Sequence, residues 1–147
     1  MQVKDLTLTS PDIADGERMD DRFSGEGGST VPRMVVTGIP EGTVELALIC
    51  HDPDAPMPAG FTHWTLYGIP PVDGEIDVDA ARPGPNDADG TGYVGPFPPA
   101  GHGDHRYYFW VYALSRPVEG EPARSGFLHH SADDVIEQAR LTGTYSA

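Results

Sequence analysis

The chain has 147 residues, and its 23 acidic side chains against 9 basic ones give a formal net charge of −14. One domain accommodates that length, with a core large enough to fold without staples. The charge excludes nucleic acid and anionic membrane surfaces as low-salt partners, and no run approaches the ~18 apolar residues of a membrane helix. In chain order, strands are predicted at Leu6–Thr9, Arg33–Thr37, Glu45–His51, His63–Ile69 and Arg106–Leu114, all rich in β-branched, aromatic and aliphatic residues. Turn-forming stretches such as Gly25-Glu26-Gly27-Gly28 and Arg82-Pro83-Gly84-Pro85-Asn86-Asp87 separate them. A helix is predicted from a Ser131 cap through Asp133-Asp134, with Val135, Ile136, Ala139 and Leu141 as its apolar stripe and Thr142-Gly143-Thr144 as its end. The pattern reads as a mainly β protein, an antiparallel sandwich with a C-terminal helix, in a single domain over residues 1–147.

Three features bear on cellular setting. The start Met1-Gln2-Val3-Lys4-Asp5 lacks the basic start and apolar stretch of a secretory signal. The single cysteine, Cys50, lies in an apolar run and has no partner for an intramolecular disulfide, which fits a reducing cytoplasm. Lys4 is the one lysine; the other basic residues are arginines. Like charges on this scale repel over a Debye length of ~30 Å at 0.01 M salt but over about 3 Å at 1 M. The expectation is a halophilic cytoplasmic protein, with an ordinary acidic mesophilic protein as the alternative.

Two clusters carry candidate chemistry. The first is His51-Asp52-Pro53-Asp54-Ala55-Pro56, followed by Phe61-Thr62-His63-Trp64. The second is Gly95-Pro96-Phe97-Pro98-Pro99-Ala100-Gly101-His102-Gly103-Asp104-His105-Arg106-Tyr107. Prolines fix φ where the first strand ends in carboxylates, and a Pro-Pro pair stiffens the loop entering the Arg106–Leu114 strand. On that strand alternation puts His105 and Tyr107 on one face and Arg106 on the other. Rigid loops that hold His, Asp and Tyr at a strand end suit a preorganised small-ligand site.

Asp52-Pro53-Asp54-Ala55-Pro56, His63-Trp64, Gly95-Pro96-Phe97-Pro98-Pro99 and His105-Arg106-Tyr107 resemble, in order and spacing, the signature regions of the phosphatidylethanolamine-binding protein family. Leu8-Thr9-Ser10-Pro11, Asp15-Gly16 and Leu141-Thr142-Gly143-Thr144-Tyr145 are similar to its short bacterial and archaeal, Raf-kinase-inhibitor-like subtype. The resemblance implies an anion pocket at Asp52, His63, Pro98, His105 and Tyr107, with Phe61 as an aromatic wall. It also implies a small phosphate-like ligand, no cofactor, and a homodimer as one option for assembly. Tyr107, His63 and His105 can donate to an anion, whereas Asp52 repels a dianion and is expected to orient a histidine or share a proton with the ligand.

Other readings compete with this one. Asp54 and Arg106 are expected to form a buried ion pair joining the motifs. His51 is read as capping a strand end, His102 as solvated in a Gly-x-Gly loop, and His129-His130 and the Asp73–Asp79 run as surface. Tyr108, Trp110 and Tyr112 are read as core packing. Asp52, His63 and His105 match the composition of a two-His-one-carboxylate metal site, but their spacing is scattered. Neither Gly-x-Ser-x-Gly nor a phosphate-binding Gly-x-x-x-x-Gly-Lys-Ser/Thr occurs. The sequence reads as a binding protein for a phosphate-like anion, with a regulatory or scavenging role. An acid–base hydrolase or metal-dependent enzyme using the same pocket, or an inhibitor of a protein partner, are the alternatives.

Overall fold

The computed structural model describes residues 5–147, so the reading of Met1–Lys4 lies outside the described residues. The strands are β1 (Thr7–Thr9), β2 (Val35–Thr37), β3 (Glu45–Asp52), β4 (Phe61–Ile69), β5 (Gly74–Glu75), β6 (Arg82–Pro83), β7 (His105–Leu114) and β8 (Val135–Tyr145), and the helix α1 is Arg124–Ser131. They form two antiparallel sheets, one of three strands ordered β1-β2-β5 and one of five ordered β6-β4-β3-β7-β8.

Alternation along each strand builds the core. Leu46, Leu48 and Cys50 of β3, and Tyr107, Phe109, Val111 and Ala113 of β7, face the small sheet and pack with Leu8, Val36 and Ile76. The opposite face of the large sheet presents Ala47, Ile49, Tyr67, Tyr112 and Leu114, which α1 covers through Phe127. The Phe127 ring lies 5.1 Å from that of Tyr112 and 5.7 Å from that of Tyr67. β3 and β4 are therefore buried along nearly their whole length, as strands covered on both sides must be.

The helix expected from Ser131 onwards is not there. Residues Val135–Tyr145 are strand β8, paired with β7 from Leu114↔Val135 to His105↔Tyr145. The inner face of β8 carries Glu137, Ala139, Leu141, Gly143 and Tyr145 at every second position, all buried except the half-buried Ala139. Satisfying ten residues of β7 along one edge outweighs a local helical pattern of four apolar residues. The charged Glu137 within that face hides the period of two, and its carboxylate is satisfied by the Leu6 N–H at 3.3 Å. The actual helix lies one segment earlier, in Arg124-Ser125-Gly126-Phe127-Leu128-His129-His130-Ser131, where no side chain caps the N-terminus. Its sequence is poor in helix formers, and docking of Phe127 holds it in place.

Two smaller readings also change. Tyr112 is buried in the core beneath α1 and the half-buried Trp110 packs against that cluster, whereas Tyr108 is half-buried at its margin. Arg140 of β8 lies over the latter two rings, 4.5 Å from the Tyr108 centroid and 5.4 Å from that of Trp110. His51 lies inside β3, buried, with its Nδ1 3.0 Å from the Thr62 hydroxyl.

Candidate functional site

Antiparallel pairing brings the end of β3, the start of β4 and the start of β7 to one edge of the large sheet. A cavity of about 400 Å³ opens there, and Asp52, Phe61, His63, Pro98, His105 and Tyr107 all line it. A larger cleft of about 520 Å³ lies between Arg116–Glu119 and His130–Asp134. It contains none of the motif residues, and the chemistry below belongs to the smaller cavity.

Each side chain reaches the cavity for a local reason. Asp52 continues the inward series Leu46, Leu48, Cys50 on β3, so its carboxylate is buried on the sandwich face. His105 and Tyr107 continue the inward series of β7. His63 arrives through an irregularity. Cys50 faces Trp64 and His51 faces Thr62, so His63 is the extra residue of a β-bulge between them. Bulges re-aim side chains in this way, and here His63 is turned beside Phe61 (ring centroids 4.7 Å apart) and Tyr107 (5.2 Å, edge-on). The loop wall is held close. Gly95 sits so near residues 23–25 that a Cβ there would overlap the Phe23 carbonyl, and the Gly25 N–H donates to the Pro96 carbonyl at 2.8 Å.

Hydrogen bonds fix the tautomers. Asp52 Oδ1 accepts the Asp54 N–H at 2.7 Å, and Oδ2 lies 2.7 Å from His105 Nδ1. A carboxylate accepts, so His105 Nδ1 is the donor. The other nitrogen of His105, Nε2, lies 2.9 Å from Nδ1 of His102. His63 Nδ1 lies 2.8 Å from the Val94 carbonyl oxygen and donates to it, leaving Nε2 as an acceptor in the neutral ring. Burial lowers the pKa of His63, opposed by that hydrogen bond and by the charges of Asp52 and Asp87. Burial likewise pushes the Tyr107 phenol up, keeping it a protonated donor.

Outside the cavity, Asp54 binds Arg106, but not as a buried pair. The side chains are 27% and 54% exposed respectively, because Arg106 points to the outer face of β7. His102 is exposed, as expected, yet its ring also reaches back to His105, and nothing in a Gly-His-Gly sequence announces that contact. Among the described residues no three His, Cys, Asp or Glu side chains are arranged to hold a metal ion. Asp52 and His105 are instead bonded to each other.

The family model described as phosphatidylethanolamine-binding protein matches residues 9–146. The chain belongs to the phosphatidylethanolamine-binding protein family. Its relatives place it in the short bacterial and archaeal subtype. The UPF0098 protein YbcL of Escherichia coli K12 is 38% identical over 98% of this chain and 89% of its own length. A UPF0098 protein of Aquifex aeolicus is 35% identical over 95% and 88%. Among solved structures, a phosphatidylethanolamine-binding protein homologue from Chlamydia trachomatis superposes with a TM-score of 0.89 at 29% identity, covering 99% of both chains. The YbcL structure gives 0.88 at 31% identity, covering 97% and 98%. The two-sheet architecture with one helix late in the chain is thus that of the family.

Proposed function

We propose that the cavity binds a small anion of the phosphate or phosphomonoester class in its protonated, singly charged form, and that the protein acts by binding, in a regulatory role, rather than by turnover. The observation that carries this reading is the convergence of Asp52, His63, His105 and Tyr107 on one cavity walled by Phe61 and Pro98. Tyr107 supplies a hydroxyl donor, and neutral His63 offers Nε2 to accept from a ligand P–OH. The buried Asp52 carboxylate disfavours a dianion at the same place. A monoanion that still carries a proton meets both demands. The buried Cys50 and the acidic composition fit a cytoplasmic setting with high salt. Among the described residues no helix is long and apolar enough to cross a membrane, while one mycobacterial relative, LppC, is named as a lipoprotein.

Titration calorimetry with inorganic phosphate and phosphoethanolamine at high salt tests the reading. Tyr107→Phe keeps the ring and removes one donor to a charged ligand. It should weaken binding by about 1.5–3 kcal/mol, roughly 10–150-fold, and His63→Ala should weaken it as well. Because burial lowers His63, any gain in affinity from its protonation should appear below pH ~6.5, the ordinary histidine value, and not above it. Equal binding by wild type and both variants would place the site elsewhere.

A further inference from the structure

Counting donors and acceptors leads to a conclusion about His102 that rests on the anion reading above. Both ring nitrogens of His105 are engaged, Nδ1 by Asp52 at 2.7 Å and Nε2 by His102 at 2.9 Å. An imidazole nitrogen offers one hydrogen or one lone pair in the ring plane, so neither nitrogen is open to a ligand. Nδ1 of His63 is engaged by Val94. As it stands, the Tyr107 hydroxyl is the one side-chain donor the site residues offer, so a protonated monoanion gains a single such contact and a second donor would add to it.

We propose that His102 is an internal occupant of the anion site: it masks His105 Nε2 in the resting protein, and a bound anion displaces it and takes that nitrogen. Three observations support the exchange. His102 is exposed although its Nδ1 touches the buried His105, so it can leave without dismantling the core. It is flanked by Gly101 and Gly103 with φ of 79° and 77°, and a Cβ at either would meet nothing within 4 Å. The backbone there can turn the ring outward with little steric cost. The loop that carries it also contributes Phe97, Pro98 and Pro99 to the cavity wall, and the His102 N–H donates to the Pro99 carbonyl at 3.2 Å, so His102 sits beside the mouth of the site.

The exchange is linked to a proton. With His105 neutral, Nδ1–H donates to Asp52 and Nε2 accepts from His102 Nδ1–H. To donate to an anion, His105 must carry hydrogen on both nitrogens, its positive charge set against Asp52. Donation from His105 to the anion therefore takes up one proton from solvent, since a proton drawn from the ligand would leave a dianion beside Asp52. The other titratable groups around His105 are Asp54 beyond the end of β3, His63 on β4, Tyr107 two residues on and Tyr145 opposite it on β8, with its sequence neighbours Asp104 in the loop and Arg106 turned to the outer face. Of these, Asp54 is already neutralised by Arg106.

The test uses the whole chain with inorganic phosphate as probe. His102→Ala removes the competitor and should tighten phosphate binding by about 2–12-fold, the net worth of one neutral hydrogen bond. His102→Asn keeps an N–H able to donate to His105 Nε2 and should stay near wild type. In nitrogen-15-labelled protein without phosphate, a through-hydrogen-bond coupling should join His102 and His105, and it should vanish at saturation. Binding by both proteins with equal or weaker affinity in His102→Ala, or a coupling that persists at saturation, overturns the masking alone. No phosphate binding by wild type or His102→Ala overturns the anion reading and the masking together.

Discussion

Arg106 grips Asp54 at three points: Nε to Oδ2 at 3.0 Å, Nη2 to Oδ1 at 2.8 Å, and its own backbone N–H to Oδ2 at 2.8 Å. The contact ties the turn after β3 to the first residues of β7, directly beside the cavity. The hydrogen bond from the Arg106 side chain, aided by the guanidinium charge, holds the Asp54 carboxyl down at about 2. A carboxylate with a depressed folded pKa stabilises the protein above its unfolded value of about 4, and that contribution is lost as pH falls towards 2.

Half-exposed charges are screened by water, so the pair contributes little despite its geometry. Arg106→Ala should lower the melting temperature at pH 7 by at most about 4 °C. The gap between variant and wild type should close as pH falls from 4 to 2. A gap unchanged across that interval would show that the loss comes from packing over Tyr108 and not from the ion pair.

The charge imbalance makes a prediction about salt. With a formal net charge of −14, self-repulsion opposes the compact state wherever screening is weak. Thermal melts should move upward as salt rises from about 0.1 M to 1 M or more, because the Debye length shrinks from ~10 Å to ~3 Å. A flat or falling series would remove the halophile reading.

Acid stability at high salt reports on the buried histidines. Burial lowers the folded pKa of His63, and burial together with the Arg124 charge lowers that of His51. Between the lowered value and the ordinary 6.5 the unfolded chain binds more protons than the folded one, so stability rises with pH there. It is fully present above about 6.5 and declines as pH falls. Urea unfolding at molar salt, where carboxylate repulsion is screened, should show this decline between pH 7.5 and 5. His63→Asn, whose amide can still donate to the Val94 carbonyl, should flatten it in part. An unchanged slope would mean that the His63 ring is not buried in solution.

The sequence made the long central strands legible because they are apolar on both faces, and β3, β4 and β7 start and end within two residues of the predicted bounds. It misled at residues 131–145, where Val135, Ile136, Ala139 and Leu141 fit a helical stripe and an inward-facing glutamate disguises the alternation. The true helix was hidden because its local sequence does not favour helix and a single aromatic anchor holds it. At the site, the residues the structure gathers around one cavity could be named through the resemblance of two proline-rich motifs to a known family. The bulge that aims His63, and the return of His102 onto His105, could not, because both depend on register and loop path rather than on residue type.

The pairing of β7 with β8 has a consequence for biosynthesis. His105 at the cavity faces Tyr145, and the segment from Gly16 to Met19 bonds to β8 through Thr142 and Thr144. The five-stranded sheet therefore cannot close until the ribosome has passed residue 145, and a segment made among the first twenty residues must wait for it. Such non-local closure is slow and leaves strand edges exposed in the meantime. All the residues that line the cavity, Asp52 to Tyr107, are made before β8, so the His105 flank of the site stays unpaired until β8 docks beside it. Chaperone engagement is then expected to fall between the synthesis of β3 and release from the ribosome.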